Sequence, residues 1–444
     1  MDLIIDGGTV VTMGSKGIIR NGAVVVENGC IVDVGKSAEL KRKHSGYEKI
    51  NAEGKVVIPG LINTHQHAAM SLLRGYADDY PLNEWLEKWI WPLEKQMTGH
   101  DIYVGALLTA VESILGGTTT INTMYHYARN GNEAQALAQV GLRAVVGHVC
   151  FSWRKDEDRK ALNALIRDWH GKANGLIRAS VDPHSTYTVD PTYMKELRET
   201  TRELNQKYGS LHNPIIWHMH VAETEDEPDK ITKAFGVPVK GGIVEYLDSL
   251  GVLEKDVIAA HCVYLTPKDI DILRKKGVKV SHNPVSNLKL GSGISPVPKL
   301  LKKSVTVALG TDSSCSNNTA DMFEAMRIAA LLHKGVGRNP TLLPAEKVLQ
   351  MATIEGAKAL LWEKNIGSIE VGKDADLAII DFKKPHLRPL YNETSHIVYS
   401  AKAADVDTVL VKGKIIVENR KVTTVNVDNI LRMAEKTRER LLNT

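Results

Sequence analysis

Cysteine is scarce in this chain of 444 residues, and no Cys-X-X-Cys pair is present. The few cysteines lie far apart in the sequence, at Cys30, Cys150, Cys262 and Cys315. This spacing is typical of reduced thiols rather than of a disulfide framework. We therefore expect a cytoplasmic protein.

Long apolar runs and blocks of one charge are also lacking. No stretch of about 18 apolar residues predicts a membrane span, and the N-terminal residues lack the basic region of a signal peptide. The 56 basic and 52 acidic residues are interspersed and leave a net charge of +4. We therefore expect neither a nucleic-acid nor a membrane partner. The composition, 43% hydrophobic and 24% charged, is that of a small-molecule enzyme.

Both ends of the chain are rich in short β-branched runs separated by glycine turns. These runs fall at residues 3–5, 9–11, 23–26 and 31–34, and again at 375–380 and 408–417. Neither end is large enough to bury a good core alone. We predict one small β-sandwich domain built from residues 1–56 and 370–444, with a C-terminal amphipathic helix over 427–442.

The middle of the chain, residues 57–369, alternates predicted strands and helices. The eight strand candidates are residues 56–67, 118–124, 143–149, 176–185, 214–223, 257–263, 277–284 and 305–313. Predicted helices between them include residues 101–115, 191–208, 267–276 and 321–334. Eight β/α units predict an α/β fold with a (β/α)8 TIM-type barrel. A doubly wound open sheet is the alternative, although no Gly-X-Gly-X-X-Gly opens a helix.

Histidine and carboxylate side chains recur where these strands end. In such a barrel the chemistry lies at the carboxyl ends of the strands. The residues at five of these ends are His65 and His67, His184, His220 and Glu223, His261, and Asp312. This recurrence favours one shared site over isolated core histidines or a helix cap.

The residue types at these ends predict a metal site. His65, His67 and His220 supply three nitrogen ligands, and Asp312 supplies one oxygen, which leaves a position for water. This set suits Zn²⁺, with Fe²⁺ as an alternative. Residues 176–185 contain no lysine to carry a carboxylate bridge, which favours one metal per chain.

The remaining polar residues predict acid–base chemistry beside that metal. Asp312 is placed to accept a proton from the attacking water, and Glu223 to pass it to the substrate as a general acid. His261 is placed to orient the water or to stabilise developing charge. We therefore predict a hydrolase.

Several longer segments resemble the amidohydrolase superfamily, and within it the 5-methylthioadenosine/S-adenosylhomocysteine deaminases. They are NTHQHAAMSLLRGYADD (63–79), WPLE (91–94), HVAETEDE (220–227), AAHCV (259–263), SHNPVSNLKL (281–290), GTDSSCSNN (310–318) and GSIEVGKDADL (367–377). The resemblance implies a metal-dependent deaminase that hydrolyses a C–N bond of a cyclic amidine. It implies the same ligands and proton carriers, and substrate contacts from Glu94 (ribose hydroxyls), His184 and Trp85. Trp85 is equally consistent with packing in a loop helix.

One departure from the family concerns the amino-acid carboxylate of S-adenosylhomocysteine, which relatives hold with arginines beyond the third strand. His148 stands where an arginine is expected, and Arg154 or Arg159 is the candidate substitute, with Arg159 named as a substrate contact. The expected substrate is therefore a 5'-modified adenosine: 5-methylthioadenosine, S-adenosylhomocysteine or 5'-deoxyadenosine. The alternatives are guanine or 8-oxoguanine deamination, triazine hydrolysis, or a non-catalytic scaffold. The expected assembly is a homo-oligomer.

Overall fold

The computed structural model of the protein describes residues 2–125 and 131–443. The strands are β1 Leu3–Val11, β2 Ile18–Glu27, β3 Cys30–Lys36, β4 Glu48–Asn51, β5 Lys55–Pro59, β6 Leu61–Gln66, β7 Thr118–Tyr125, β8 Arg143–Cys150, β9 Ile177–Pro183, β10 Ile216–Val221, β11 Val257–His261, β12 Lys279–His282, β13 Val307–Leu309, β14 Leu377–Asp381, β15 Val406–Val411, β16 Lys414–Glu418 and β17 Lys421–Val422. The helices are α1 Ser37–Lys43, α2 Leu82–Glu84, α3 Trp91–Glu94, α4 Gly99–Leu115, α5 Asn132–Val140, α6 Lys155–Trp169, α7 Lys172–Gly175, α8 Pro191–Tyr208, α9 Glu227–Phe235, α10 Ile243–Ser249, α11 Pro267–Lys276, α12 Pro284–Lys289, α13 Val297–Lys302, α14 Met322–Gly337, α15 Ala345–Met351, α16 Ile354–Ala359, α17 Glu393–Tyr399 and α18 Val427–Leu442.

Strands β6 to β13 form one parallel sheet of eight strands in which each strand pairs with the next in sequence. The sheet closes on itself where β13 meets β6. There the Asp312 N–H donates to the His65 carbonyl at 2.9 Å, and the Thr64 hydroxyl donates to the Leu309 carbonyl, also at 2.9 Å. The predicted (β/α)8 barrel is therefore confirmed, with a strand at each of the eight predicted positions.

The first predicted strand, residues 56–67, is wrong as a single strand. It is two strands, β5 and β6, separated by Gly60. Strand β5 pairs with β14 and β1 in a second sheet, whereas β6 begins the barrel. Gly60 is required at the change of sheet because a Cβ there would lie 2.0 Å from Thr119 Oγ1.

The second sheet, called the mixed sheet below, combines strands from both ends of the chain, as the sequence predicts. Its nine strands run in the order β17-β16-β15-β14-β5-β1-β2-β3, and β4 pairs with β1. Leu3 and Val24 from the first end pack in one apolar cluster with Ile379 and Leu410 from the second. Burying these faces against each other stabilises two pieces that are each too small to form a core.

Apolar side chains close the amino-terminal end of the barrel. Helix α16 and Trp362 pack against the barrel residues Ile62 and Val145. The Trp362 ring lies between two guanidinium groups, 4.9 Å from Arg143 and 3.8 Å from Arg178. Because this end is sealed, only the carboxyl ends of the strands are open to a substrate.

The predicted helices agree with the structure where the sequence carries strong end signals. Helices α8, α11 and α18 have the predicted bounds, and α8 and α11 begin with proline at the first helical position. Helix α4 begins two residues before its predicted start because Thr98 and Asp101 form a capping box. Within residues 2–125 and 131–443, no helix combines the length and apolar character needed to cross a membrane.

Candidate metal centre

Five side chains converge at the carboxyl end of the barrel, and we call them the histidine–aspartate cluster. They are His65, His67, His220, His261 and Asp312, which come from the ends of β6, β10, β11 and β13 or from the residues just beyond them. Asp312 Oδ1 lies 3.3 Å from His65 Nε2 and 3.2 Å from His67 Nε2. The Nε2 atoms of His67 and His220 are 3.4 Å apart. The sequence prediction that these residues meet in space is therefore met by the geometry.

Hydrogen bonds on the outer side of the rings orient three of these histidines. His67 Nδ1 lies 2.8 Å from the Met124 carbonyl oxygen, and His220 Nδ1 lies 2.8 Å from the His184 carbonyl oxygen. A carbonyl can only accept, so each Nδ1 carries a proton, and a neutral ring then presents a free lone pair at Nε2. His65 Nδ1 instead lies 2.9 Å from His218 Nε2, a side-chain partner. This arrangement is typical of metal-binding histidines.

The cluster fits a divalent cation. His65 Nε2 is buried and makes no hydrogen bond within the described part of the chain. Burial lowers the pKa of His65 to about 4, so this ring is neutral at pH 7. Buried lone pairs that face one another are costly unless a positive charge lies between them. The donor set of imidazole nitrogen and carboxylate oxygen is the one that zinc and related metals bind.

Asp312 is held as a carboxylate. Burial alone would raise its pKa, but the neighbouring His65 and His67 rings bring that pKa well below its ordinary value. The hydroxyls of Ser286 and Ser316 donate to Asp312 Oδ2 at 2.6 and 3.0 Å. These two serines hold Oδ2, whereas Oδ1 accepts the Ser313 N–H at 2.7 Å and faces His65 and His67 in the cluster.

The backbone at the strand ends adopts unusual conformations. His261, Asp312 and Ala222 have φ angles of +71°, +63° and +51°, in the left-handed region that non-glycine residues seldom adopt. Such conformations persist where the surrounding structure enforces them, and they concentrate at functional sites. Here they turn the side chains of the cluster, and of Glu223 beside it, into the barrel mouth.

Glu223 lies in the pocket wall beside the cluster. Burial raises the pKa of its carboxyl group. Its Oε1 is 3.9 Å from His261 Nδ1, and that nitrogen instead hydrogen-bonds Asn287 Oδ1 at 2.8 Å. A buried carboxyl group with a raised pKa is suited to giving and taking a proton near neutral pH.

A second buried carboxyl group, Glu227, holds the Glu223 backbone. Glu227 is not among the site residues predicted from the sequence. Its Oε2 accepts the Glu223 N–H at 3.1 Å, and its Oε1 accepts the Thr186 hydroxyl. No role for His218 or Asn287 is predicted from the sequence either. For His218 a signal exists in the sequence: it precedes His220 by two residues, so both side chains lie on one face of β10.

Four members of the cluster, His67, His220, His261 and Asp312, form the floor of a pocket that opens to solvent. The apolar part of its wall consists of Met70, Leu82, Trp85, Leu86, Trp91, Val149 and Leu290. Trp85 lines the pocket and also has a structural contact, since its Nε1–H donates to the Ala77 carbonyl oxygen at 2.9 Å. Among the described lining residues there is no lysine or arginine.

Glu94 and His184 also line the pocket, as the sequence predicts. Burial raises the pKa of Glu94 to about 7, although the Tyr125 hydroxyl donates a hydrogen bond to it at 2.8 Å. Burial lowers the pKa of His184 to about 3, so this ring is neutral at pH 7. Both side chains therefore offer hydrogen bonds to a polar, uncharged ligand.

Arg159, in contrast, lies away from the pocket. It sits on the outer face of α6, with half of its side chain exposed, and pairs with Glu196 at 3.1 Å. Arg154 pairs with Asp158 at 3.2 Å, and Asp158 also bonds His148 Nε2 at 2.9 Å. The sequence places Arg159 near the mouth, but the direction of its helix turns it outward.

Comparison with known proteins agrees with this geometry. The sequence profile of the amidohydrolase family matches residues 56–416, and that of an imidazolonepropionase-like composite domain matches residues 22–44. A 5'-deoxyadenosine deaminase of Methanosarcina mazei is 44% identical, over 99% of this chain and 98% of its own. A 5-methylthioadenosine/S-adenosylhomocysteine deaminase of Caldanaerobacter subterraneus is 40% identical, over 100% of this chain and 99% of its own.

A solved structure extends the likeness to three dimensions. The adenosine deaminase of Xanthomonas campestris with bound zinc superimposes with a TM-score of 0.92 at 33% identity, over 100% of this chain and 99% of that one. The family match spans the barrel and part of the mixed sheet, and the two full-length relatives are 44% and 40% identical. This chain therefore belongs to the amidohydrolase family.

Proposed function

We propose that this protein is a metal-dependent deaminase that hydrolyses a 5'-modified adenosine to the inosine analogue and ammonia. The observation that carries the proposal is the placement of buried Glu223 beside the histidine–aspartate cluster on the floor of one pocket. The named activities of the relatives support the adenosine substrate.

We assign His65, His67, His220 and Asp312 as the metal ligands. Zn²⁺ is the proposed metal, at one ion per chain, and Fe²⁺ is the alternative. His261, whose Nδ1 hydrogen-bonds Asn287 Oδ1, is assigned instead to orient the attacking water. When bound, such a metal makes a water molecule acidic enough to attack at neutral pH.

The chain's own residues then move the protons. Asp312, held as a carboxylate, takes a proton from the attacking water, and His261 orients that water. Glu223 gives a proton to the ring nitrogen next to C6, as a carboxyl group with a raised pKa can near neutral pH. Asp312 passes its proton to the amino group, the C6–N bond breaks, and ammonia leaves. The proton of the new C6 hydroxyl returns to Glu223, so that water and the nucleoside become ammonia and the inosine analogue.

The pocket wall supports the proposed substrate. The Glu94 carboxyl can accept both vicinal ribose hydroxyls, and Trp85 and His184 are the proposed contacts to the purine. Most of the remaining wall is apolar, and no lysine or arginine is among its described residues. An uncharged 5' group, as in 5'-deoxyadenosine or 5-methylthioadenosine, suits this wall better than the amino-acid end of S-adenosylhomocysteine.

A substrate panel tests the proposed function. Ammonia release is measured with 5'-deoxyadenosine, 5-methylthioadenosine, S-adenosylhomocysteine, guanine and an aminotriazine. We expect kcat/KM for the two uncharged nucleosides to exceed that for S-adenosylhomocysteine by about 10-fold or more, because leaving a charged group unpaired costs at least about 1–3 kcal/mol. Turnover of guanine or the triazine without turnover of any adenosine would contradict the proposal.

The ribose contact is tested by changing Glu94. We expect Glu94→Gln to lower kcat/KM for 5'-deoxyadenosine by about 10- to 100-fold, because hydrogen bonds to a charged group contribute about 1.5–3 kcal/mol. The matched substrate is the analogue without 2' and 3' hydroxyls, for which the substitution should change little. The matched variant is Arg159→Ala, which should leave both substrates unaffected. An equal loss with both substrates would argue against the ribose contact.

A further inference from the structure

His218 is a buried histidine behind the metal-facing side of the cluster. It lies on β10, two residues before His220, and its side chain is fully buried. Its Nε2 is 2.9 Å from Nδ1 of His65. The other two proposed histidine ligands bond main-chain carbonyls at this position. Of the three, only His65 is therefore held by a side chain.

The proton positions follow from the role of His65. A neutral ring that presents the Nε2 lone pair to a metal carries its proton on Nδ1. That Nδ1–H then donates to His218 Nε2, which leaves the His218 proton on its own Nδ1. In the described structure this His218 Nδ1 is buried and makes no hydrogen bond. It points toward Asp182 Oδ2, 4.0 Å away.

Asp182 is the natural acceptor for that proton. It lies on β9, is fully buried, and neither of its carboxyl oxygens makes a hydrogen bond among the described residues. Gly147 on the neighbouring strand β8 makes room for it, because a Cβ at Gly147 would lie 1.6 Å from Asp182 Oδ2. Buried polar atoms without partners are rare and call for an explanation.

We propose that Asp182 and His218 are positioning residues that hold His65 in its metal-binding form, through the series Asp182 Oδ2, His218 Nδ1 and Nε2, His65 Nδ1. The series requires His218 Nδ1 and Asp182 Oδ2, 4.0 Å apart in this structure, to approach within hydrogen-bond distance. The series fixes the direction of the His65 ring and makes its Nε2 a stronger electron-pair donor to the metal. The inference rests on the proposed metal site and adds two residues that do not touch substrate or metal.

Zinc affinity separates this role from simple packing. Zn²⁺ binding is measured by competition with a chromogenic chelator on the full chain, with unfolding of the metal-free protein followed in parallel. We expect His218→Phe to weaken Zn²⁺ binding by about 10- to 100-fold, the usual effect of losing the partner of a ligand. His218→Gln retains an acceptor and should restore most of the affinity, while Asp182→Asn should fall between the two.

The matched control is His333→Phe, which removes another buried histidine from a histidine pair, with His282, at 3.2 Å. It should leave Zn²⁺ affinity unchanged. Wild-type Zn²⁺ affinity in both His218→Phe and Asp182→Asn, or an equal loss in His333→Phe, would overturn the proposal. If His218→Phe does not fold, the absorption spectrum of the Co²⁺-loaded protein is measured for Asp182→Asn instead. We expect this spectrum to shift from that of the wild type, and an unchanged spectrum would refute the series. A wild-type protein that binds no Zn²⁺ would refute the proposed metal site itself.

Discussion

Glu223→Gln should lower kcat for nucleoside deamination by about 10²- to 10⁴-fold, the usual contribution of a general acid–base group. The substituted amide fills the same space and can hydrogen-bond the ring nitrogen, but it has no proton to give at neutral pH. Burial gives Glu223 the raised pKa that this task needs. Binding of the substrate and of the metal should be retained, because Glu223 is not among the proposed ligands.

The measurement is single-turnover ammonia release at saturating 5'-deoxyadenosine, with substrate binding measured separately. Glu225→Gln is the matched control, since Glu225 lies two residues further along and is exposed. It should behave as the wild type does. A Glu223→Gln protein with nearly unchanged kcat would remove Glu223 from the mechanism and leave the proton transfer to Asp312 and His261.

His220→Ala should cause the second large loss, through the metal. Its Nε2 belongs to the buried cluster, and its ring is held by the His184 carbonyl at 2.8 Å. Loss of a partner that only holds a ligand weakens metal binding by about 10- to 100-fold, so loss of a ligand should weaken it by more than about 10²-fold. Turnover should fall with the bound metal.

Metal content per chain, measured by elemental analysis after purification, tests this expectation together with activity. The control is His212→Ala, because His212 is exposed and its side chain lies in no described cluster. Excess Zn²⁺ should restore part of the lost activity in His220→Ala. Full metal content with full activity in this variant would refute the assignment of His220 as a ligand.

The sequence predicts the barrel because its interior strands are apolar runs at regular spacing, and it predicts the site because polar residues follow those runs. The break at Gly60 is not predictable in this way. Residues 56–62 are apolar apart from Gly60. Pro59-Gly60 is a common turn dipeptide, but only the approach of Thr119 reveals that the chain changes sheet there. Local pattern carries no information on such a contact.

The outer residues of the site show the same limit. Glu227, Asn287 and Ser286 act through contacts between separate strand ends, which no spacing along the chain reveals. Arg159 is the opposite case. It follows a strand end in the sequence and is therefore predicted near the barrel mouth, but helix α6 directs its side chain to solvent. The homo-oligomeric state stays a prediction.

The most direct test of the account is a metal titration of the metal-free protein. Zn²⁺ is added in known ratio to the chain, and the rate of 5'-deoxyadenosine deamination is measured at each ratio. The account predicts no deamination without metal and a linear rise that ends at one Zn²⁺ per chain. Deamination by the metal-free protein, or a rise that continues to two ions per chain, would contradict a single metal held by His65, His67, His220 and Asp312.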